Sequence, residues 1–200
     1  MGFGALRVIN DDIVAPATGF GMHPHRDMEI ITIVNEGAVT HTDSMGNKGA
    51  VVPAGDVQVM SAGTGVVHAE HNESPDVPLK LFQIWIFPKA EGIEPAYGQA
   101  SFGDPVLNEI ETLVAPVGDD HPLTINQDAY ISRAKIEKGK SLNYEVRVPG
   151  NGVYTFVVDG DVEVEGDGLS SRDALGVWDT DNLSVRAVSE ATLLFIEVPM

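Results

Sequence analysis

Cysteine is absent from this 200-residue chain. That removes disulfides, thiolate nucleophiles and cysteine-held zinc or iron–sulfur centres together. Any redox chemistry must then rest on a metal or a bound cofactor held by other side chains. Basic residues are scarce, with 12 Lys and Arg against 30 Asp and Glu and a formal charge of −18. Direct binding to a nucleic-acid backbone, which needs clustered positive charge, runs against that balance. No apolar run approaches the roughly 18 residues of a transmembrane helix. The opening MGFGALRVINDD lacks a basic-then-apolar leader, so a soluble cytoplasmic protein with no membrane partner is expected. Histidine is absent after His121, which confines imidazole chemistry to the first part of the chain.

What the chain does have is 43% hydrophobic residues, 21 Gly and 12 Pro, the composition of a cored fold with many turns. Short alternating runs separated by Gly, Pro and Asn predict an all-β sandwich or barrel. The first run, GALRVINDDIV, reads as a strand with a turn at Asn10-Asp11-Asp12. From His23 the pattern alternates, with His23, His25, Asp27 and Glu29 on one side, then turns apolar from Ile30 to Val34 and breaks at Glu36-Gly37. AVTHT, the turn DSMGNKG, Val51-Val52, the turn Pro53-Ala54-Gly55-Asp56, Val57–Met60, Val66–Glu70 and the apolar LKLFQIWIF follow. Pro88 to Asn126 is poor in periodicity, with Leu107–Val114 readable as a helical turn or a strand.

The second half repeats the first. Ile31–Gly37 matches Tyr154–Gly160, Val52–Val59 matches the stretch around Leu175–Val185, and LKLFQIWIFP has its echo in ATLLFIEVP. Two copies of one β unit are expected, with a first domain at residues 1–100, a connector at 101–126 and a second domain at 127–200. By the same offset Val146 and Val148 stand where His23 and His25 stand, so the second copy cannot rebuild a histidine site.

Strand geometry gives the candidate site. Residues two apart share a strand face, so His23 and His25 aim together, as do His68 and Glu70. Three imidazoles and a carboxylate form a nitrogen/oxygen set that suits Fe, Mn, Co, Ni, Cu or Zn better than Ca or Mg. In an octahedral centre such a set leaves two positions open for substrate or dioxygen. Fe(II) is the first choice. Phe20, Met22, Met60, Phe82 and Trp85 are candidates for an apolar mouth, with core packing expected for most of them. His41 and His71 flank the ligand strands as surface or supporting residues. Tyr130 and Trp178 are expected to pack the second copy, and His121 receives no role.

HPHRDMEI, DSMGNKG and PAGDVQVMSAGTGVVHAE together resemble the N-terminal cupin domain of the pirin family, in particular bacterial pirin-like proteins similar to quercetin 2,3-dioxygenases. The likeness implies a bicupin: two tandem cupin barrels, the first metal-bearing and the second without ligands. Carried over by position, it implies His23, His25, His68 and Glu70 as the metal ligands. Ordinary cupins use a glutamate and a histidine at the places held here by Glu29 and Gln58, which become pocket candidates. Glu29 can equally be a strand-end carboxylate paired with Arg26 or solvent, and Gln58 a barrel hydrogen bond. Family members also carry a further N-terminal segment ahead of the position matching Met1.

Two functions follow from the resemblance. One is a metal-dependent dioxygenase that opens a flavonol ring with O₂, with Glu70, or alternatively Glu29, the candidate base for the substrate hydroxyl. The other is a non-catalytic metal-loaded protein that senses redox state and binds a protein partner. A metal-stabilised scaffold, or an enzyme for another small aromatic substrate, remains a third reading.

Overall fold

The computed structural model describes residues 2–200 and contains no helix among them; nothing in it is a helix long and apolar enough to cross a membrane. Nineteen strands follow one another. The first nine are β1 (Leu6–Val14), β2 (Gly19–His25), β3 (Glu29–Glu36), β4 (Ala38–Asp43), β5 (Lys48–Pro53), β6 (Asp56–Ser61), β7 (Val66–His71), β8 (Leu79–Ile86) and β9 (Ala96–Ser101). Then come β10 (Ile110–Pro116), β11 (Thr124–Ile125), β12 (Tyr130–Ile136), β13 (Ser141–Glu145), β14 (Asn151–Asp159), β15 (Val162–Val164), β16 (Asp167–Leu169), β17 (Ala174–Val177), β18 (Asn182–Ala187) and β19 (Ala191–Pro199). They form two compact units. One holds Leu6–Gly103 with Pro122–Gln127; the other holds the segment up to Ala5, Asp104–His121 and Asp128–Met200. The stretch expected to connect two domains is thus divided, and Leu107–Val114 contributes to strand β10 rather than to a helical turn.

In the first unit, one sheet runs β1-β8-β3-β6-β9 and the other β2-β7-β4-β5. The apolar strands β3, β6 and β8 lie inside the first sheet and are buried along most of their length, as continuous hydrophobic runs require. Two local expectations fail. Asn10-Asp11-Asp12 makes no turn; these residues stay in register with Gln83, Phe82 and Leu81. As an edge strand β1 has only one hydrogen-bonded neighbour, so its acids reach water without breaking the ladder. The alternation begun at His23 does not reach Glu29, because Asp27 takes a positive φ of 46°. The chain turns there and leaves β2's sheet for β3's.

The second unit repeats this wiring. The order β1-β8-β3-β6 recurs as β12-β19-β14-β17, and β2-β7-β4-β5 recurs as β13-β18-β15-β16. Ile31–Gly37 against Tyr154–Gly160, and LKLFQIWIFP against ATLLFIEVP, fall on equivalent strands. The third match is displaced. The counterparts of β5 and β6 are β16 and β17, three and four residues long, too short for their alternation to be visible in the sequence. Tyr144, Phe195, Val153, Val164, Leu183 and Val185 belong to the buried core of this unit. Trp178, expected in that packing, is 55% exposed.

One device is shared by both units. Gly37 and Gly160 close the equivalent turns with φ of 76° and 87°. At each, another segment's backbone occupies the space a Cβ would need: Pro78 O, 2.9 Å from it, at Gly37, and the Glu190 carbonyl at Gly160. Gly160→Ala therefore combines left-handed strain with a backbone clash. We expect a loss of about 1–3 kcal/mol in stability, read as a lowered urea midpoint.

Candidate metal centre

Strand pairing builds the site. His23 lies directly opposite His68 across β2 and β7, and His25 opposite Val66. Side chains of cross-strand partners share a face, so the three imidazoles converge. Their ring centroids are 4.9 Å apart for His23 and His25, 4.4 Å for His23 and His68, and 4.9 Å for His25 and His68. One nitrogen from each lies within 4.8 Å of the others. His23 donates from Nδ1 to the Gly21 carbonyl at 2.8 Å. A carbonyl only accepts, so Nδ1 carries a proton and Nε2 is the nitrogen left to face the other two rings.

The set fits a transition metal by a test internal to the structure. His68 is 1% exposed, yet both of its ring nitrogens are buried without a hydrogen-bond partner. Buried polar atoms are almost always satisfied, and a metal ligand accounts for a bare imidazole in this position. Burial first, then the charges of His23, His25 and His41, push the His68 pKa down to about 3. Burial, with His23 beside it, also lowers that of His25. Neutral imidazole is the form that binds metal.

Glu70 sits deeper. Its carboxylate belongs to a second, fully buried set with His41 and His68, again within 4.8 Å. Gln83 donates to Oε2 at 2.7 Å, while Gln58 at 3.2 Å and Thr32 at 3.4 Å donate to Oε1. Each glutamine is itself held: Trp85 Nε1–H donates to Gln83 Oε1 at 3.1 Å, and the Tyr97 hydroxyl to Gln58 Oε1 at 3.2 Å. With their carbonyls so engaged, both amides must turn NH₂ toward Glu70.

The remaining candidates scatter. Phe20 pairs with Glu70 across the strands and is 47% exposed, at the rim of the histidine face. Met60 is wholly buried with Ile30 and Val66, against Met28, Met45 and Trp85; Trp85 then meets His25 edge-on at 5.0 Å. Phe82 is buried one position out of phase with Gln83 and lies away from the histidines. Glu29 is neither a partner of Arg26 nor exposed. It is fully buried, accepts from Ser61 Oγ at 2.6 Å, and burial raises its pKa. It alternates with Thr32 along β3 and so faces away from Glu70; Arg26 meets Asp27 instead. His71 stays near the surface beside Glu73. His41 is fully buried, which leaves the supporting role of its two expected placements, whereas Gln83 is a participant that sequence reasoning missed. The His41-Thr42-Asp43 spacing within an alternating strand was the one available signal for His41.

The second unit shows the same positions emptied of chemistry. Tracing partners outward from Gly37 and Gly160, Val164 stands for His41 and Val185 for Glu70. Leu183 stands for His68, and Tyr144 and Val146 for His23 and His25. The offset is therefore two residues from the expected Val146 and Val148. Leu175 and Phe195 replace Gln58 and Gln83. Two positions keep a hydroxyl: Tyr144 donates to Glu197 Oε2 at 3.0 Å, whereas that of Thr155, the counterpart of Thr32, is buried without a partner.

Comparison with known proteins agrees with this asymmetry. Residues 1–86 match the pirin family, and residues 112–198 match the quercetinase C-terminal cupin domain. The chain is 43% identical over 199 residues to a quercetin 2,3-dioxygenase of Escherichia coli, spanning 100% of this chain and 84% of the relative. The chain belongs to the pirin family. A pirin-like protein of Caulobacter vibrioides is 44% identical over 200 residues, spanning 98% of this chain and 84% of that one. Among solved structures, the bacterial pirin YhhW of Escherichia coli in complex with nickel(II) superposes with a TM-score of 0.91 at 40% identity, covering 100% of this chain and 84% of that one. The fold of this pirin-family chain is the all-β bicupin.

The His68 shift carries a pH consequence. In the unfolded chain His68 takes up a proton near the ordinary pKa of 6.5, whereas in the metal-free folded chain it does so only near 3. The unfolded state binds the extra proton between those values, so this group's contribution to stability is present above about pH 6.5 and is lost as pH falls toward 3. Side-chain ¹⁵N spectra of the metal-free protein should show His68 neutral at pH 5.

Proposed function

We propose that this pirin-family chain is a metal-dependent dioxygenase that opens a flavonol ring with O₂, with iron(II) as its metal. The observation that supports the reading most is the converging trihistidine cluster, whose buried member His68 has no hydrogen-bond partner at either nitrogen. His23, His25 and His68 would hold the ion, with Glu70 as the fourth ligand. When bound, the metal supplies a Lewis-acid contact for the adjacent oxygens of a flavonol and a place for dioxygen. Nitrogen and carboxylate donors suit Fe, Mn, Co, Ni, Cu and Zn alike, so metal analysis of freshly purified protein decides the assignment of iron.

The chain's own residues would position and deprotonate the substrate. Phe20 offers an aromatic face at the rim of the site. Glu70 would accept the flavonol hydroxyl proton, and the donors Gln58, Gln83 and Thr32 keep its carboxylate in one orientation. The apolar wall of Met60, Met28 and Trp85 beside His25 would limit water near the reacting face. Both oxygen atoms of O₂ enter the ring-opened product, and one ring carbon leaves as carbon monoxide.

The test combines metal analysis with O₂ uptake on a flavonol panel. Chelation and His23→Ala should each abolish flavonol-dependent uptake; turnover that survives both overturns the reading. Glu70→Gln should lower kcat by about 100-fold or more, in line with removal of a general base. Gln83→Leu removes the shortest donor to Glu70 and is expected to weaken metal binding by about 10–100-fold, measured by competition with a chromogenic chelator.

A further inference from the structure

We propose that His41, anchored by Asp43, is the hydrogen-bond partner of the metal ligand His68, so that an Asp43–His41–His68 relay positions that ligand at the metal. This rests on the reading of His23, His25 and His68 as a metal centre.

The argument is an inventory of donors and acceptors. Asp43 accepts four N–H groups that can only donate: Met45, Gly46 and Asn47 amides on Oδ1 at 2.9, 3.1 and 3.1 Å, and Asn47 Nδ2 on Oδ2 at 2.7 Å. A carboxyl so surrounded is a carboxylate; burial alone would raise its pKa, but these hydrogen bonds and that of His41 bring it below the ordinary value. Its fifth contact, His41 Nε2 at 2.8 Å, must therefore be the imidazole's N–H. The neutral His41 imidazole of this relay then carries its proton on Nε2 and presents Nδ1 as an acceptor. That Nδ1 is buried and has no partner.

His68 presents the complementary deficit. A neutral imidazole bound to a metal through one nitrogen carries a proton on the other, and neither His68 nitrogen has an acceptor. The two rings lie 5.4 Å apart between centroids, with a nitrogen of each within 4.8 Å. One buried orphan acceptor thus stands beside one buried orphan donor. Glu70, the other acceptor nearby, already receives Gln58, Thr32 and Gln83. Tyr97 packs against the His41 ring with centroids 4.9 Å apart and restricts its rotation.

The relay also gives a purpose to the DSMGNKG turn. Its backbone amides wrap Asp43, and its first serine is tied to the ligand strand twice, Ser44 N to Val67 O at 2.9 Å and Val67 N to Ser44 Oγ at 3.1 Å. Asp43 itself lies opposite His68 in register. The turn thus places a fixed negative charge behind a metal ligand, which raises that ligand's donor strength.

The test uses zinc(II), a diamagnetic probe, on ¹⁵N-histidine-labelled full chain. Long-range ¹H–¹⁵N spectra of the loaded wild-type protein should show His41 protonated at Nε2, with Nδ1 shifted as a hydrogen-bond acceptor and a scalar coupling to a protonated His68 nitrogen. A His41 Nδ1 that is protonated, or that is itself bound to zinc, overturns the inference and leaves the metal centre standing. Failure of the wild-type protein to bind zinc overturns both. Asp43→Asn keeps the Oδ1 acceptor for the three turn amides but places an NH₂ against His41, reversing its tautomer, and displaces the Asn47 side-chain amide from Oδ2. The expected result is a 10–100-fold weaker zinc affinity with the apo protein's far-UV spectrum and thermal midpoint little changed. Unaltered affinity together with an unaltered His68 N–H resonance counts against the relay. His41→Gln, which preserves bulk, should repeat the affinity loss.

Discussion

The pairing of β2 with β7 is the interaction on which the rest of the site depends. A strand offers side chains to a given face at every second position, so a one-residue slip would send every ligand to the opposite face. His23 opposite His68 fixes the slip at zero. From that single pairing follows the convergence of His25, whereas an irregularity between Phe20 and His23 sets Phe20 separately, opposite Glu70. On the other side of β7, the pairing with β4 sets His41 against Glu70 and Asp43 against His68. Three strands of one small sheet thus deliver six titratable groups to one place, and the opposite sheet supplies the amides that orient the deepest of them.

Burial makes that arrangement consequential. Clustered imidazoles out of water repel a proton, and a carboxylate among them needs donors to remain an anion. Gln58, Gln83 and Thr32 meet the second demand with neutral groups, so the cluster carries little excess charge into the core. Their neutrality matters chemically. A lysine or arginine in the same place would compete with a cation for Glu70, whereas an amide orients the carboxylate and leaves its charge available.

Much of the fold and of the site was legible in the sequence because it is written in periodicity. The 2-residue spacing of His23 with His25 and of His68 with Glu70 follows from the geometry of a strand, and Ile31–Gly37 against Tyr154–Gly160 reveals the repeat. What escaped notice was non-local or conformational. The expectation for Glu29 assumed that alternation ran through Asp27, where one left-handed residue redirects the chain into another sheet. Asn10-Asp11-Asp12 looked like a turn because acids are rare in paired strands, but an edge strand tolerates them. Gln83 lies in an apolar run, and only the tertiary fold brings it to Glu70, 13 positions away. His41 and Asp43 are two residues apart in plain view; their meaning depends on which strand lies beside them.

The Thr155 hydroxyl, buried opposite Leu175 and Phe195, is a small fossil with a thermodynamic signature. An unsatisfied buried hydroxyl costs about 1–3 kcal/mol, and here nothing in the surrounding core gives that cost back. The second barrel thus retains one syllable of a vocabulary its neighbours have dropped. A barrel that holds tyrosine, valine and leucine where the other holds imidazoles and a carboxylate has its core from apolar packing alone, and an ion taken up by the first unit would leave that packing untouched.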